Sequence, residues 1–168
     1  MRKLPIALAA ASLIGFAAGA ASAAQLSPQD QQFVKQAAQG GMEEIQSGQL
    51  AEQKGASPAV RQLGQTLVAD HTMADNQLKQ IAQQQGFTLP QSTDQEAQQE
   101  LQKMKSLSGQ QFDKQFIDEQ IEDHEKTIQL FQNEAQNTQD PALRNFAQST
   151  IPVLQKHLQM AKQAQNAS

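Results

Sequence analysis

The sequence predicts an all-α domain of two antiparallel helical hairpins joined by one long connection. Three observations carry this. Apolar residues recur at steps of three and four through roughly residues 28–165. A cap followed by proline opens three separate segments, at Ser27-Pro28, Ser57-Pro58 and Asp140-Pro141. No alternation of polar and apolar residues competes as a strand.

Residues 1–23 read as a secretory signal peptide. Arg2 and Lys3 form its charged start, residues 4–20 its apolar run, and Ala21, Ser22 and Ala23 a small-x-small cleavage site. The run is alanine-rich and shorter than the ~20 residues that span a bilayer, so no membrane span is expected after cleavage. An exported chain, periplasmic or extracellular, follows. Residues 24–168 then form one domain, a size at which a real core can be buried.

The first helix is expected over residues 28–54, with Ser27 as its cap, Pro28 in its first turn and Asp30 near its positive end. Gly55-Ala56-Ser57-Pro58 closes it and opens the second, over residues 58–85, which stops at Gly86. So short a turn makes the two antiparallel neighbours. Residues 87–108 are the long connection, entered through Leu89-Pro90 and carrying a short polar helix over about 94–105. Ser108-Gly109 opens the third long helix, to about residue 137, and Asp140-Pro141 opens the fourth. This is the layout of a ferritin-like four-helix bundle, with a plain up-and-down bundle as the alternative.

Composition excludes several functions. Cysteine is absent, so the exported chain has no disulfide, lipid-modified thiol or thiol chemistry. The formal charge is −4 and becomes more acidic once Arg2 and Lys3 are removed, which argues against nucleic acid or anionic membrane as partners. Tryptophan and tyrosine are absent, so no aromatic stacking ladder exists. Glutamine is abundant, and here it fills the solvated faces of helices rather than a disordered tract.

Three histidines stand where core residues belong. The inward stripe of the second helix passes Leu63, Leu67, His71, Ala74 and Leu78; that of the third passes Ile117, Ile121, His124, Ile128 and Phe131. In the fourth it passes Phe146, Thr150, Leu154, His157 and Ala161. The first helix has no histidine, yet Glu44 lies on its stripe with Phe33, Ala37, Gly41 and Ala51. At 1.5 Å per residue all four fall near mid-bundle.

Glu44, His71, His124 and His157 are therefore the candidate ligands of one divalent transition metal, zinc, iron or copper, because imidazole suits these ions better than calcium or magnesium. The competing reading is a buried Glu-His hydrogen-bond network in a non-catalytic structural or stress-related interaction protein. Asp70 and Asp123 adjoin two of the histidines, but neighbouring helical residues point about 100° apart, so they are expected in surface or interhelix contacts. Pro152 is expected to bend the fourth helix before His157. Met42, Met73, Met104 and Met160 read as core filling, with copper-binding thioethers as the alternative. No nucleophile sits in a recognisable turn and no glycine-rich phosphate loop follows a strand, so binding is expected rather than catalysis.

Glu44-Ile45 with Gly48 and Leu50-Ala51, then Asp70-His71, Phe112-Asp113, His124, and Leu154 with His157 after Pro152, resemble the pattern of exported bacterial proteins grouped as the domain of unknown function 4142 family. The resemblance covers about residues 33–164. It implies a ferritin-like bundle in the cell envelope and no established reaction. Asp113 belongs to that pattern and reads as a structural acid favoured by the dipole of its own helix, with a remote ligand role, eleven residues from His124 on a similar face, as the alternative. One departure from the di-iron ferritins stands out. They need Glu-x-x-His pairs, and here Val68, Ile121 and Leu154 precede the histidines by three, so ferroxidase or iron-storage chemistry is not expected.

Overall fold

The computed structural model describes residues 26–167; the expected signal peptide and its cleavage site lie outside the described residues. Among the described residues the chain forms five helices and no strand: α1 (Pro28–Lys54), α2 (Pro58–Gln84), α3 (Gln95–Ser106), α4 (Gly109–Asn137) and α5 (Pro141–Asn166). None of them is long and apolar enough to cross a membrane.

The helix boundaries follow the caps. Ser27 and Asp30 form a reciprocal capping box, Ser57 accepts from the Val60 amide, and Asp140 accepts from the amides of Ala142 and Leu143. Each is followed by proline, whose missing N–H costs nothing in the first turn. Asp94 caps α3 in the same way through the Ala97 amide. Ser108 makes no capping bond, and Gly109 instead turns the chain with φ +60. α5 runs unbroken through Pro152.

Side-chain partners give the packing order. α1 lies against α2 through Gly48 and Gly64, and α4 against α5 through Phe131–Phe146 at one level and Glu125–Lys162 at another. α1 meets α4 through Phe33–Phe131 and α2 meets α5 through Gln85–Asp140. Every one of these pairs is antiparallel. The end of α2 therefore lies beside the start of α5, while α4 begins beside the α1–α2 turn, where Asp113 accepts the amides of Ala56 and Ser57 at 2.8 Å each. Asp113 is structural, as expected, but it closes the neighbouring turn rather than serving its own helix dipole. The connection carrying α3 must run the length of the molecule between those two ends. Lys54 holds it by bonding the Lys105 carbonyl.

Two apolar clusters form the core. One gathers Phe33, Leu78, Phe131, Leu143 and Phe146; the other gathers Val60, Leu63, Leu101, Phe112 and Phe116. Between them lies a polar layer of Glu44, Ser47, His71, Gln120, His124 and His157, all buried. Burying so many polar groups is unfavourable unless each finds a partner, so the layer demands an explanation.

α1 and α2 approach to backbone contact. A Cβ on Gly64 would stand 2.6 Å from the Gly48 carbonyl, and one on Gly48 would stand 2.9 Å from that of Gly64. A Cβ on Gly40, by contrast, would meet no atom of another part of the protein within 4 Å. Gly64→Ala is expected to destabilise the protein by about 1–3 kcal/mol, because overpacking outweighs the ~1 kcal/mol of helix propensity that alanine adds. Gly40→Ala is expected to stabilise by up to ~1 kcal/mol. Urea unfolding of both variants checks the opposed signs.

Candidate metal centre

Each histidine occupies a core position on its helix stripe, and packing of the two hairpins turns all three rings together. Ring centroids stand 6.0 Å apart for His71–His124, 5.3 Å for His71–His157 and 5.3 Å for His124–His157. One ring nitrogen from each lies within 4.8 Å of the other two.

The hydrogen-bond partners assign the tautomers. His124 Nδ1 stands 3.0 Å from the carbonyl oxygen of Gln120, which can only accept, so Nδ1 carries the proton. His157 Nε2 stands 2.9 Å from Asp70 Oδ2 and donates to it. That leaves His124 Nε2 and His157 Nδ1 as lone-pair atoms, and these face each other at 3.2 Å. His71 Nε2 is buried with no partner.

Two facing lone pairs need a proton or a cation between them. A shared proton would make one ring cationic, and burial opposes this. His71 is pushed down to about 3 by burial and by the neighbouring His124 and His157, and His124 to about 3 by burial and His157. Burial also lowers His157, although the Asp70 carboxylate pulls it back up. Nitrogens bound at 2.0–2.1 Å to one tetrahedral ion stand about 3.3 Å apart, close to the observed spacing.

Glu44 is placed differently. Its Oε1 lies 3.5 Å from His124 Nδ1, the edge of the ring turned away from His157, and its Oε2 is buried without a hydrogen-bond partner. The structure thus brings the three histidines together and sets Glu44 behind one of them. Burial pushes Glu44 up to about 8, opposed by the Gln120 amide and reinforced by Asp123 and Glu43. Below that value it is uncharged, so it forms no ion pair with the neutral His124.

Two neighbours were not legible as part of the centre. Asp70 points away from His71, as its helical position requires, but the α2–α5 contact sets it against His157 instead. Its expected interhelix contact is therefore one with a candidate ligand, and Lys156 also approaches it, at 3.6 Å. Gln120 lies one turn before His124, a spacing that hints at the bond from ring to carbonyl; its side chain reaches Ser47 Oγ at 3.5 Å. Met73 is 64% exposed and Met104 packs in the apolar cluster around Leu101, so neither joins the histidines.

A cavity of about 160 Å³ reaches the centre between α1, α2, α4 and α5, lined by Glu44, His71 and His124 within and by Glu43, Asp75 and Asp123 beside them. Its carboxyl groups are all shifted upward. Glu43 is raised to about 8 by burial and then by Asp123 and Glu100, Asp123 to about 6 by burial and then Glu100, and Asp75 to about 6 by burial.

The fold and centre define an all-helical protein with a buried cluster of three imidazoles. The chain belongs to the family described as "Domain of unknown function (DUF4142)", whose model matches residues 15–164. Among solved structures it is similar to the crystal structure of a DUF305 fragment from Deinococcus radiodurans, with TM-score 0.76 and 14% identity over 86% of this chain and 99% of that one. It is also similar to CopM in the Cu(I)-bound form, with TM-score 0.68 and 20% identity over 80% of this chain and 93% of that one. At these identities the likeness is one of fold. No curated protein matches the chain.

The raised carboxyls set a pH dependence. Glu43 and Glu44 bind protons in the folded state with values about 8, against 4.5 as their ordinary value. Their contribution is present at low pH and lost as pH rises from the ordinary 4.5 through 8; the histidines, buried neutral but protonated near 6.5 when unfolded, act with the opposite sign and have nearly finished titrating by pH 7. Metal-free protein in chelator is expected to melt at a lower temperature at pH 9 than at pH 7. Equal or reversed melting temperatures contradict the assignment.

Proposed function

We propose that this protein binds one transition-metal ion, Cu(I) or Zn(II), through His71, His124 and His157, within a ferritin-like four-helix bundle that acts outside the cytoplasm after export. The observation that carries the reading is the pair of lone-pair nitrogens facing at 3.2 Å, with the unpartnered His71 Nε2 beside them. Imidazole is a good ligand for both ions, and the Cu(I) held by CopM, a protein of similar fold, favours copper. Iron fits less well, since three imidazoles without an inner carboxylate lack the 2-His-1-carboxylate pattern of open iron sites.

Asp70 would orient His157 by accepting its Nε2 proton, and the Gln120 carbonyl would do the same for His124. Both keep the opposite nitrogen free for the ion. Glu44 lies behind His124 as a neutral neighbour rather than among the three nitrogens. The export reading rests on the Arg2-Lys3 start, the apolar run and the Ala21-Ser22-Ala23 site.

Purified protein is expected to retain one equivalent of metal after dialysis, and the His71→Ala, His124→Ala, His157→Ala triple variant none, as read by elemental analysis. Equal metal content in the two would end the reading. Saturating metal at 100 times its Kd adds about 2.7 kcal/mol, so a chelator should lower the melting temperature by roughly 10 °C. A register-fixing hydrogen-bond network without metal predicts no change.

Asp70→Asn removes the carboxylate that fixes His157. Metal affinity is expected to fall about 10–100-fold in competition titrations, with stoichiometry preserved. Unchanged affinity would remove Asp70 from the centre.

A further inference from the structure

At the end of the bundle away from the α1–α2 turn, the first turn of α1 meets the last turn of α4 through two acids. Asp30 is 4% exposed and Glu134 2%, and each has a buried oxygen with no hydrogen-bond partner, Oδ1 of Asp30 and Oε1 of Glu134. The two carboxyls stand within hydrogen-bonding reach of each other. Asp30 Oδ2 already accepts the Ser27 amide at 3.2 Å, so Oδ1 is the atom left to face Glu134. One turn further in, Phe33 and Phe131 meet edge to face at 5.0 Å, so the acids cap one end of the apolar cluster built on those rings.

Among the described residues neither acid belongs to an ion pair. The Thr138 hydroxyl reaches both, but it has one hydrogen to give, and its oxygen accepts the Asp140 amide at 3.1 Å. Of the surrounding groups, Arg144 of α5 spends its guanidinium on the Thr138 carbonyl, Gln85 of α2 donates to Asp140 at 2.6 Å, and Asp140 adds negative charge. Two ionised carboxylates in contact at such burial are strongly unfavourable. The helix dipoles decide which of them holds a proton. Asp30 lies at the positive start of α1 and caps it, whereas Glu134 lies at the negative end of α4. The shifts run the same way. Burial opposes the charge of Asp30, yet hydrogen bonds with Thr138, Ser27 and Glu134 hold it below its ordinary value; burial and then Asp30 push Glu134 up to about 7.

We propose that Glu134 and Asp30 share one proton, Glu134 donating it to Asp30 Oδ1, and that this bond is a pH-sensitive latch fastening the start of α1 to the end of α4. One hydrogen satisfies both unpartnered oxygens at once. Glu134 gives up its proton less readily in the folded chain than in the unfolded one. The contribution of the bond is therefore complete below the ordinary value of 4.5 and is lost as pH rises through about 7. Above that, two buried like charges face each other and the two turns separate. The latch works with or without metal, since neither turn holds a histidine.

Carboxyl ¹³C NMR of the whole protein reads the shared proton, and amide exchange at Gln31 and Thr138, whose backbone bonds close the two turns, reads the latch. Glu134 is expected to titrate with a midpoint of about 7 in wild type, and in the ordinary carboxylate range in Asp30→Asn, whose amide donates to Glu134 instead. Protection of both amides, corrected for their intrinsic rates, is expected to fall about tenfold or more from pH 6 to pH 9 in wild type. It should stay level in Glu134→Gln, where an amide N–H takes the place of the shared proton. A wild-type midpoint in the ordinary range, a midpoint unmoved by Asp30→Asn, or protection that falls equally in wild type and Glu134→Gln overturns the proposal.

Discussion

The contact between His124 Nε2 and His157 Nδ1 constrains everything around it. Both rings have spent their outer nitrogens on acceptors, one on the Gln120 carbonyl and one on Asp70, so both present lone pairs inward at 3.2 Å. Protonation would relieve the repulsion, but burial holds His71 and His124 far below their ordinary values. A cation relieves it without charging a ring. The unpartnered Nε2 of His71 would then gain a partner as well.

That contact lies within the α4–α5 hairpin, whose short turn sets His124 and His157 at the same height, and packing against α2 adds His71. Apolar clusters around Phe33 and Phe131 on one side, and around Leu63 and Phe116 on the other, flank the polar layer, and the cavity reaches it past Glu43 and Asp123. The Gly48–Gly64 approach draws α1 and α2 together beside this layer, so the protein combines a rigid surround with one acidic, partly open side. This is the combination a buried ion site requires: fixed ligands and a route in.

Much of this was legible in the sequence because it is locally encoded. Ser27-Pro28, Ser57-Pro58 and Asp140-Pro141 begin helices for reasons contained in a few residues, and the observed starts of α1, α2 and α5 follow them. The inward stripe equally identified His71, His124 and His157, since a 3.6-residue period needs no knowledge of neighbours. What was not legible depends on how the hairpins sit against each other. Asp70 could be assigned to a partner only once α2 was known to lie beside α5. Glu44 shares depth and direction with the histidines, yet it stops behind His124, a matter of rotation about a helix axis that spacing cannot resolve.

The central claim is that three imidazole nitrogens converge on one ion. X-ray absorption on the copper- or zinc-loaded protein reads this most directly. The account predicts a first shell at about 2.0–2.1 Å for zinc, with the outer-shell scattering of three imidazole rings. A shell of oxygen alone, without imidazole scattering, would contradict it.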